Sequence, residues 1–154
     1  MKSAYHILFL VLFIVISTAC AGPTPSAASD WQTYTNAEAG FSIQYPSTWK
    51  LEALPDQNSG ALHGVSLKGA EGGVELYWGV GLGGGCTPEA IQTIKVAQGE
   101  LNTCYGKTAE GTERWENISK NLSSVSFSAR AFTADTAVSN HDLVPKVIST
   151  LSFP

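Results

Sequence analysis

GGVELYWGVGL, from Gly72 to Leu82, constrains this chain more than any other stretch. Val74, Leu76, Trp78, Val80 and Leu82 fall on every second position without interruption. A two-residue period buries one face of an extended strand and wets the other, a pattern no helix presents. The same alternation recurs along the chain. GFSIQYP sets Phe41, Ile43 and Tyr45 against Ser42 and Gln44 and stops at Pro46. WKLEAL sets Trp49, Leu51 and Ala53 against Lys50 and Glu52, with PST between the two segments as a hairpin-like connection. HGVSLKG carries Val65 and Leu67 on one side. SSVSFSARAFT alternates Val125, Phe127, Ala129 and Ala131 with Ser124, Ser126, Ser128 and Arg130. LNTCYGK and GTERWENIS also read as strands, and PDQNSG, AEG and KNLS as turns.

Two segments depart from that period. TPEAIQTIKVAQG, Thr87 to Gly99, offers Thr87 as an N-cap, Pro88 at the first helical position, Glu89 in the first turn and Gly99 as a stop. Ala90, Ile91, Ile94 and Ala97 then form an apolar stripe, so a helix is predicted. A second, short helix is predicted near Asp142 to Thr150, with Asp142 as cap, Pro145 in the tolerated first turn, and Leu143, Val147 and Leu151 facing the sheet. Strand hairpins with two helices make an α+β domain, a mostly antiparallel sheet with helices packed on it.

The N-terminus determines where such a domain is delivered. Lys2 is the one charge ahead of ILFLVLFIVI, Ile7 to Ile16, which the small residues Ser17, Thr18 and Ala19 follow. A positive start, an apolar middle and a small-residue exit are the parts of a secretory signal. The block is shorter than the about 20 apolar residues that span a bilayer. STAC, ending at Cys20, resembles a bacterial lipoprotein signal, with Ser17 where that pattern usually has leucine. The resemblance implies that residues 1–19 are removed and Cys20 is lipidated; ordinary cleavage near Ala19 or Ala21 would release a soluble secreted protein instead. AGPTPSAASD, Ala21 to Asp30, has no bulky apolar residue and reads as a flexible tether, so 20–30 is anchor and tether and 31–154 the globular domain. At ~3.3 Å per residue the tether reaches about 30 Å.

With Lys2 in the signal, the mature part holds eight basic residues against thirteen acidic ones. The basic residues are scattered singly, which excludes a nucleic-acid surface and a basic membrane-surface helix. In an oxidising compartment Cys86 and Cys104 most simply form one structural disulfide, contributing about 3 kcal/mol in the chain-entropy model. A redox pair expects C-x-x-C, and a zinc site needs more ligands than His63 and His141 supply.

YTNAEAGFSIQYPSTWKLE, Tyr34 to Glu52, together with the ending VISTLSF, Val147 to Phe153, resembles the PsbP-like fold. The shared features are a glycine-aromatic start, a Tyr-Pro…Trp break, and a last helix running into a short Thr-x-x-Phe strand. The resemblance implies an α/β/α sandwich around an antiparallel sheet. It further implies a non-enzymatic role. Photosynthetic members are extrinsic photosystem II subunits that help retain calcium and chloride. A eukaryotic relative binds a small GTPase, and many bacterial members are anchored lipoproteins. The matched positions are structural, so no site residue is carried over.

No catalytic set assembles from the sequence. G-x-S-x-G is missing, His141 and Asp142 adjoin at a helix start, and Glu113 and Glu116 would face opposite ways on a strand. The acceptor patterns at Asn117 and Asn121 are idle in a bacterial lipoprotein. The glycines Gly79, Gly81 and Gly84 spell G-x-G-x-x-G, but hairpin strands precede them, and Glu100 starts the following strand where a dinucleotide fold needs an acid at a strand end. No nucleotide and no other cofactor is expected. The stretch reads as a strand-to-helix elbow pinned by Cys86. Tyr77, Gly79, Gly81, Gly83 and Gly84 are the candidate ligand contacts, with Tyr77 as a small stacking surface. Two roles follow: a membrane-tethered, non-catalytic interaction or accessory module with an envelope protein partner, or a domain binding a small ligand or a cation such as calcium.

Overall fold

A computed structural model of the chain describes residues 30–57, 60–80, 84–122, 125–134 and 142–154. The chain runs through β1 (Trp31–Asn36), β2 (Phe41–Pro46), β3 (Lys50–Gln57), β4 (Leu62–Gly69) and β5 (Gly72–Gly79). It continues through β6 (Ile91–Val96), β7 (Gly99–Lys107), β8 (Glu113–Asn121), β9 (Ser126–Thr133) and one short helix, α1 (Leu143–Ser149). β1 and β2 form a separate antiparallel ribbon; the other seven strands form one antiparallel sheet in the order β3-β4-β5-β9-β8-β7-β6.

This corrects the expected α/β/α sandwich. The predicted helix over 87–99 is a single 3-10 turn, Pro88–Ala90, followed by the edge strand β6. Thr87 makes no side-chain cap. Ile91, Thr93, Ile94 and Val96 are β-branched, which stiffens them against helix and favours a pleated strand. The decisive force is non-local: β6 pairs with β7 from Ile91↔Cys104 to Val96↔Gly99, and Gly99 takes φ +125° in the tight link. The second helix of the expected sandwich is thus a strand, and among the described residues α1 is the one helix that packs on the sheet, beside the ribbon.

The opening pairing also differs from the sequence reading. β2 pairs with β1, from Trp31↔Pro46 to Asn36↔Phe41, and not with β3 across PST. The turn between them is written in NAEAG: Asn36 Oδ1 accepts the Ala39 N–H at 2.8 Å, and Gly40 takes φ +69°. Past Pro46 the chain crosses to the large sheet, where β3 pairs with β4. Trp49 marks the crossing: its ring lies over Gly69, where a Cβ would stand 2.2 Å away, and its Nε1 donates to Glu71 at 3.1 Å.

One face of the large sheet makes the core. Val65, Leu67, Val74, Leu76, Trp115, Ile118, Phe127, Ala129 and Ala131 pack beneath Phe41, Ile43 and Tyr45 of the ribbon and Val144, Val147 and Ile148 of α1. Phe41 sits at the centre, with ring centroids of Tyr34, Trp78 and Phe127 within 6.0 Å. The alternation in GGVELYWG therefore holds as far as Trp78. It ends at Gly79, which takes φ +139°; Val80 lies beyond the strand and is 71% exposed, and Leu82 is outside the described residues. Asp142 precedes α1 without a side-chain capping bond. After α1 the chain returns to β2, where Ser42 and Ser152 form an isolated bridge.

Candidate functional site

With ribbon and helix on one face, the opposite face of the seven-stranded sheet carries the polar side chains of the alternation. Glu75 and Tyr77 project there from β5, Ser126, Ser128 and Arg130 from β9, and Arg114, Glu116, Ser119 and Asn121 from β8. Cross-strand register sets these side by side: Ser119 faces Ser128, Asn121 faces Ser126, and Tyr77 faces Ser128 from the other flank.

Three adjoining hollows follow. The first, about 290 Å³, runs over Ser126, Ser128, Ser119 and Asn121 between Tyr77–Arg130 and Gly84–Asn117. A second, about 280 Å³, continues past Glu116 and Arg130 to Arg114 and Phe132. A third, about 440 Å³, continues from Gly84, Asn117 and Ser119 to Asn102 and Ile91. Shared lining residues make them one groove across β9, β8, β7 and β6.

The groove is bent by a bulge in β8. Register shifts between Trp115 and Ile118, and Asn117 takes φ +55°, a left-handed conformation that asparagine tolerates better than most residues. From there Asn117 Nδ2 donates to Cys104 Sγ at 3.2 Å. Cys86 and Cys104 stand at disulfide distance with Cα atoms 5.3 Å apart, so the segment carrying Gly84 is fixed to β7 beside the groove.

At the opposite wall, Tyr77 Oη donates to Glu75 Oε2 at 2.7 Å, Arg130 Nη2 donates to Tyr77 Oη at 2.9 Å, and Arg130 Nε bonds Glu75. Burial first, then the bond to Glu75, pushes the Tyr77 phenol up to about 12. Burial works against the Arg130 charge, but the hydrogen bond and charge of Glu75 more than offset it and raise its pKa. Arg130 also lies 5.4 Å from the Tyr77 ring centroid, and the ring rests on Gly64, where a Cβ would come within 3.0 Å. Tyr77 thus supports Arg130 through its hydroxyl and ring while lining the first hollow.

The other sequence candidates divide. Gly84 lines the groove. Gly79 is used by the fold: a Cβ there would stand 2.1 Å from the Ala61 carbonyl oxygen, and the neighbouring Val80 N–H donates to that oxygen at 2.9 Å. Gly81, Gly83, His141 and Cys20 lie outside the described residues. His63 pairs with Asp56 at 2.8 Å near Trp78. Glu113 accepts from Tyr105 Oη at 2.7 Å, which raises the Tyr105 pKa, while Glu116 lines the groove. Among the described residues no three His, Cys, Asp or Glu side chains gather closely enough to hold a metal ion, and no helix is long and apolar enough to cross a membrane. Ser119, Asn121, Ser126 and Ser128 are not among the candidate ligand contacts that the sequence offers. Their signal was the serine run alternating with Phe127, Ala129 and Ala131, which reads simply as a wet face until register lays it against β8.

No family model matches the sequence. No curated protein matches it either. A crystal structure from Bacteroides thetaiotaomicron VPI-5482 superposes with a TM-score of 0.45 at 16% identity, covering 80% of this chain. The chain spans about half of that protein, 48%. A likeness of that size says nothing about activity.

Proposed function

We propose that this protein is an exported bacterial lipoprotein, held to the extracytoplasmic face of a membrane through Cys20, that acts by binding and not by catalysis. The binding surface in this reading is the face of the seven-stranded sheet opposite the ribbon and α1. One observation carries it: a polar groove crosses four strands on the face that neither ribbon nor helix covers. The apolar run before Cys20 and the tether after it support the delivery.

The groove favours a ligand of modest size over a broad protein partner. Protein interfaces are anchored by buried apolar and aromatic side chains. Among the described residues the exposed large hydrophobics, Leu51, Val80 and Ile91, lie on three different segments, and the groove floor is serine and asparagine. The cation alternative has less behind it, because Glu75 already accepts from Tyr77 and Arg130, and Glu116 shares its hollow with two arginines.

Two measurements test the reading. Cys20→Ser should move the protein from the membrane to the soluble fraction of the cell; unchanged membrane retention would refute lipid anchoring. A photo-crosslinker at position 128 should give a discrete adduct in cells, whereas one at position 38, on the β1–β2 turn, should not. Equal labelling from both positions would remove the groove from the function.

A further inference from the structure

We propose that the outer-face groove binds an uncharged glycan chain; this rests on the binding-module reading above and names the class of its ligand.

Charge narrows the class first. Along the three hollows Glu75, Glu100 and Glu116 are interspersed with Arg114 and Arg130, so neither sign forms an unbroken field. A polyanion would be drawn to the two arginines but set against three carboxylates, and a polycation would meet the reverse. Like-charge juxtaposition of this kind suppresses charged ligands of both signs and is indifferent to a neutral one.

The hydrogen-bonding inventory narrows it further. Ser119 and Ser128 are directly paired across β8 and β9, and Asn121 and Ser126 form the next pair on the same face. Neither the Ser119 nor the Ser128 hydroxyl bonds another described side chain, whereas Ser126 and Asn121 meet at only 3.5 Å. Each hydroxyl donates once and accepts twice, and each amide offers both functions. A ligand that is itself a dense array of hydroxyls matches them without leaving a donor facing a donor. An extended peptide is a poorer match, because its backbone N–H and C=O groups pair with strand edges, and this groove runs across the face of the sheet.

The groove is also preorganised. Its floor is the backbone over buried Phe127 and Ala129; one wall is Arg130 held by Glu75 and Tyr77; the other is the Gly84 segment held beside Cys86 and Cys104. Short serine and asparagine side chains have little rotamer freedom to lose on contact. From β9 to β6 the groove crosses three inter-strand steps of about 4.8 Å each. It is therefore a trough for a chain of sugars and not a pocket for a single ring.

The test uses the protein purified from membranes in detergent and titrated with cellohexaose, xylohexaose and mannohexaose, with a galacturonate hexamer as the charged arm. At least one neutral hexasaccharide should bind, the galacturonate should bind at least about tenfold more weakly, and amide shifts should move at Ser119, Asn121, Ser126 and Ser128. Ser128→Trp, which fills the trough, should weaken binding at least about tenfold, while Thr33→Trp on the exposed ribbon should leave it unchanged. If Ser128→Trp does not fold, the double variant Ser119→Ala with Ser128→Ala removes two hydroxyls without added bulk and should weaken binding about fivefold or more. No binding of any neutral hexasaccharide, or binding that ignores both groove variants, overturns the proposal. Galacturonate binding that Ser128→Trp abolishes overturns the uncharged glycan while leaving the groove as the binding surface. A position-128 crosslink to a protein, with no glycan bound, does the same.

Discussion

The α-carbon of Gly84 lies against the side-chain amide of Asn117, so closely that a Cβ would stand 2.5 Å from Oδ1. The obstacle is the end of a side chain, and Gly84 has no positive φ to lose. Gly84→Ala should therefore displace Asn117 and cost no more than about 1 kcal/mol. Gly79 differs on both counts, with φ +139° and the Ala61 carbonyl oxygen 2.1 Å from a Cβ. Gly79→Ala should cost about 3 kcal/mol or more. Thermal unfolding of the two variants side by side checks the order; equal costs would contradict it.

Cys86 and Cys104 are eighteen residues apart in sequence. A bridge closing that loop stabilises by about 3 kcal/mol. The mature protein should show no free thiol of this pair by mass before reduction. The double serine variant should lose stability of that order in urea unfolding. Two free thiols in the native protein would remove the bridge from the account.

Phe41 is 1% exposed and is the ring that joins the β1–β2 ribbon to the large sheet, through Trp78 and Phe127. Phe41→Ala should cost about 3–5 kcal/mol and loosen the ribbon before the sheet. Hydrogen exchange should show protection lost first at Ile43 and Tyr45. A variant that loses protection uniformly would mean that ribbon and sheet unfold as one unit.

Tyr77 gives a signature at alkaline pH. Unfolded, a tyrosine ionises near 10; here burial and Glu75 hold it neutral up to about 12. Below pH 10 the phenol is protonated in both states and its contribution is complete. Between about pH 10 and 12 the unfolded chain loses its proton first, so stability falls as pH rises. Tyrosinate absorbance should show Tyr77 titrating late, and Tyr77→Phe should flatten the fall in urea midpoint across that window. Tyr105, also raised through Glu113, leaves a residual slope. Titration of Tyr77 together with ordinary tyrosines would refute the Glu75–Tyr77–Arg130 arrangement.

The sequence made local periods legible and long-range pairing illegible. Phe41, Ile43 and Tyr45, Val74 and Leu76, and Phe127, Ala129 and Ala131 are buried as their alternation implies. The terminal helix is also there, shorter than its pattern. The error at Thr87 to Gly99 came from real helix-start chemistry, Thr87-Pro88-Glu89, coupled to a stripe that fits a helix. What outweighed it was the β7 backbone opposite Ile91 to Val96, which no local window contains. β2 pairs with β1 rather than β3 for the same reason. The groove was least legible of all, since Ser128 becomes part of a site only when Ser119 is laid against it.

The bridge between Ser42 and Ser152, with the bond from Gln44 N–H to the Thr150 hydroxyl at 2.8 Å, ties the first strand pair to the last residues described. Contacts so distant along the chain close last and slow folding. A chain threaded through a membrane N-terminus first presents β1 and β2 to the far side with nothing to pack on. For a chain delivered in that way, Phe41 and Ile43 stay incompletely covered until β5, β9 and α1 have all followed. In an exported protein of this topology, the interval between emergence and closure is when proteases and holdase chaperones act, and it lasts as long as translocation of the whole domain.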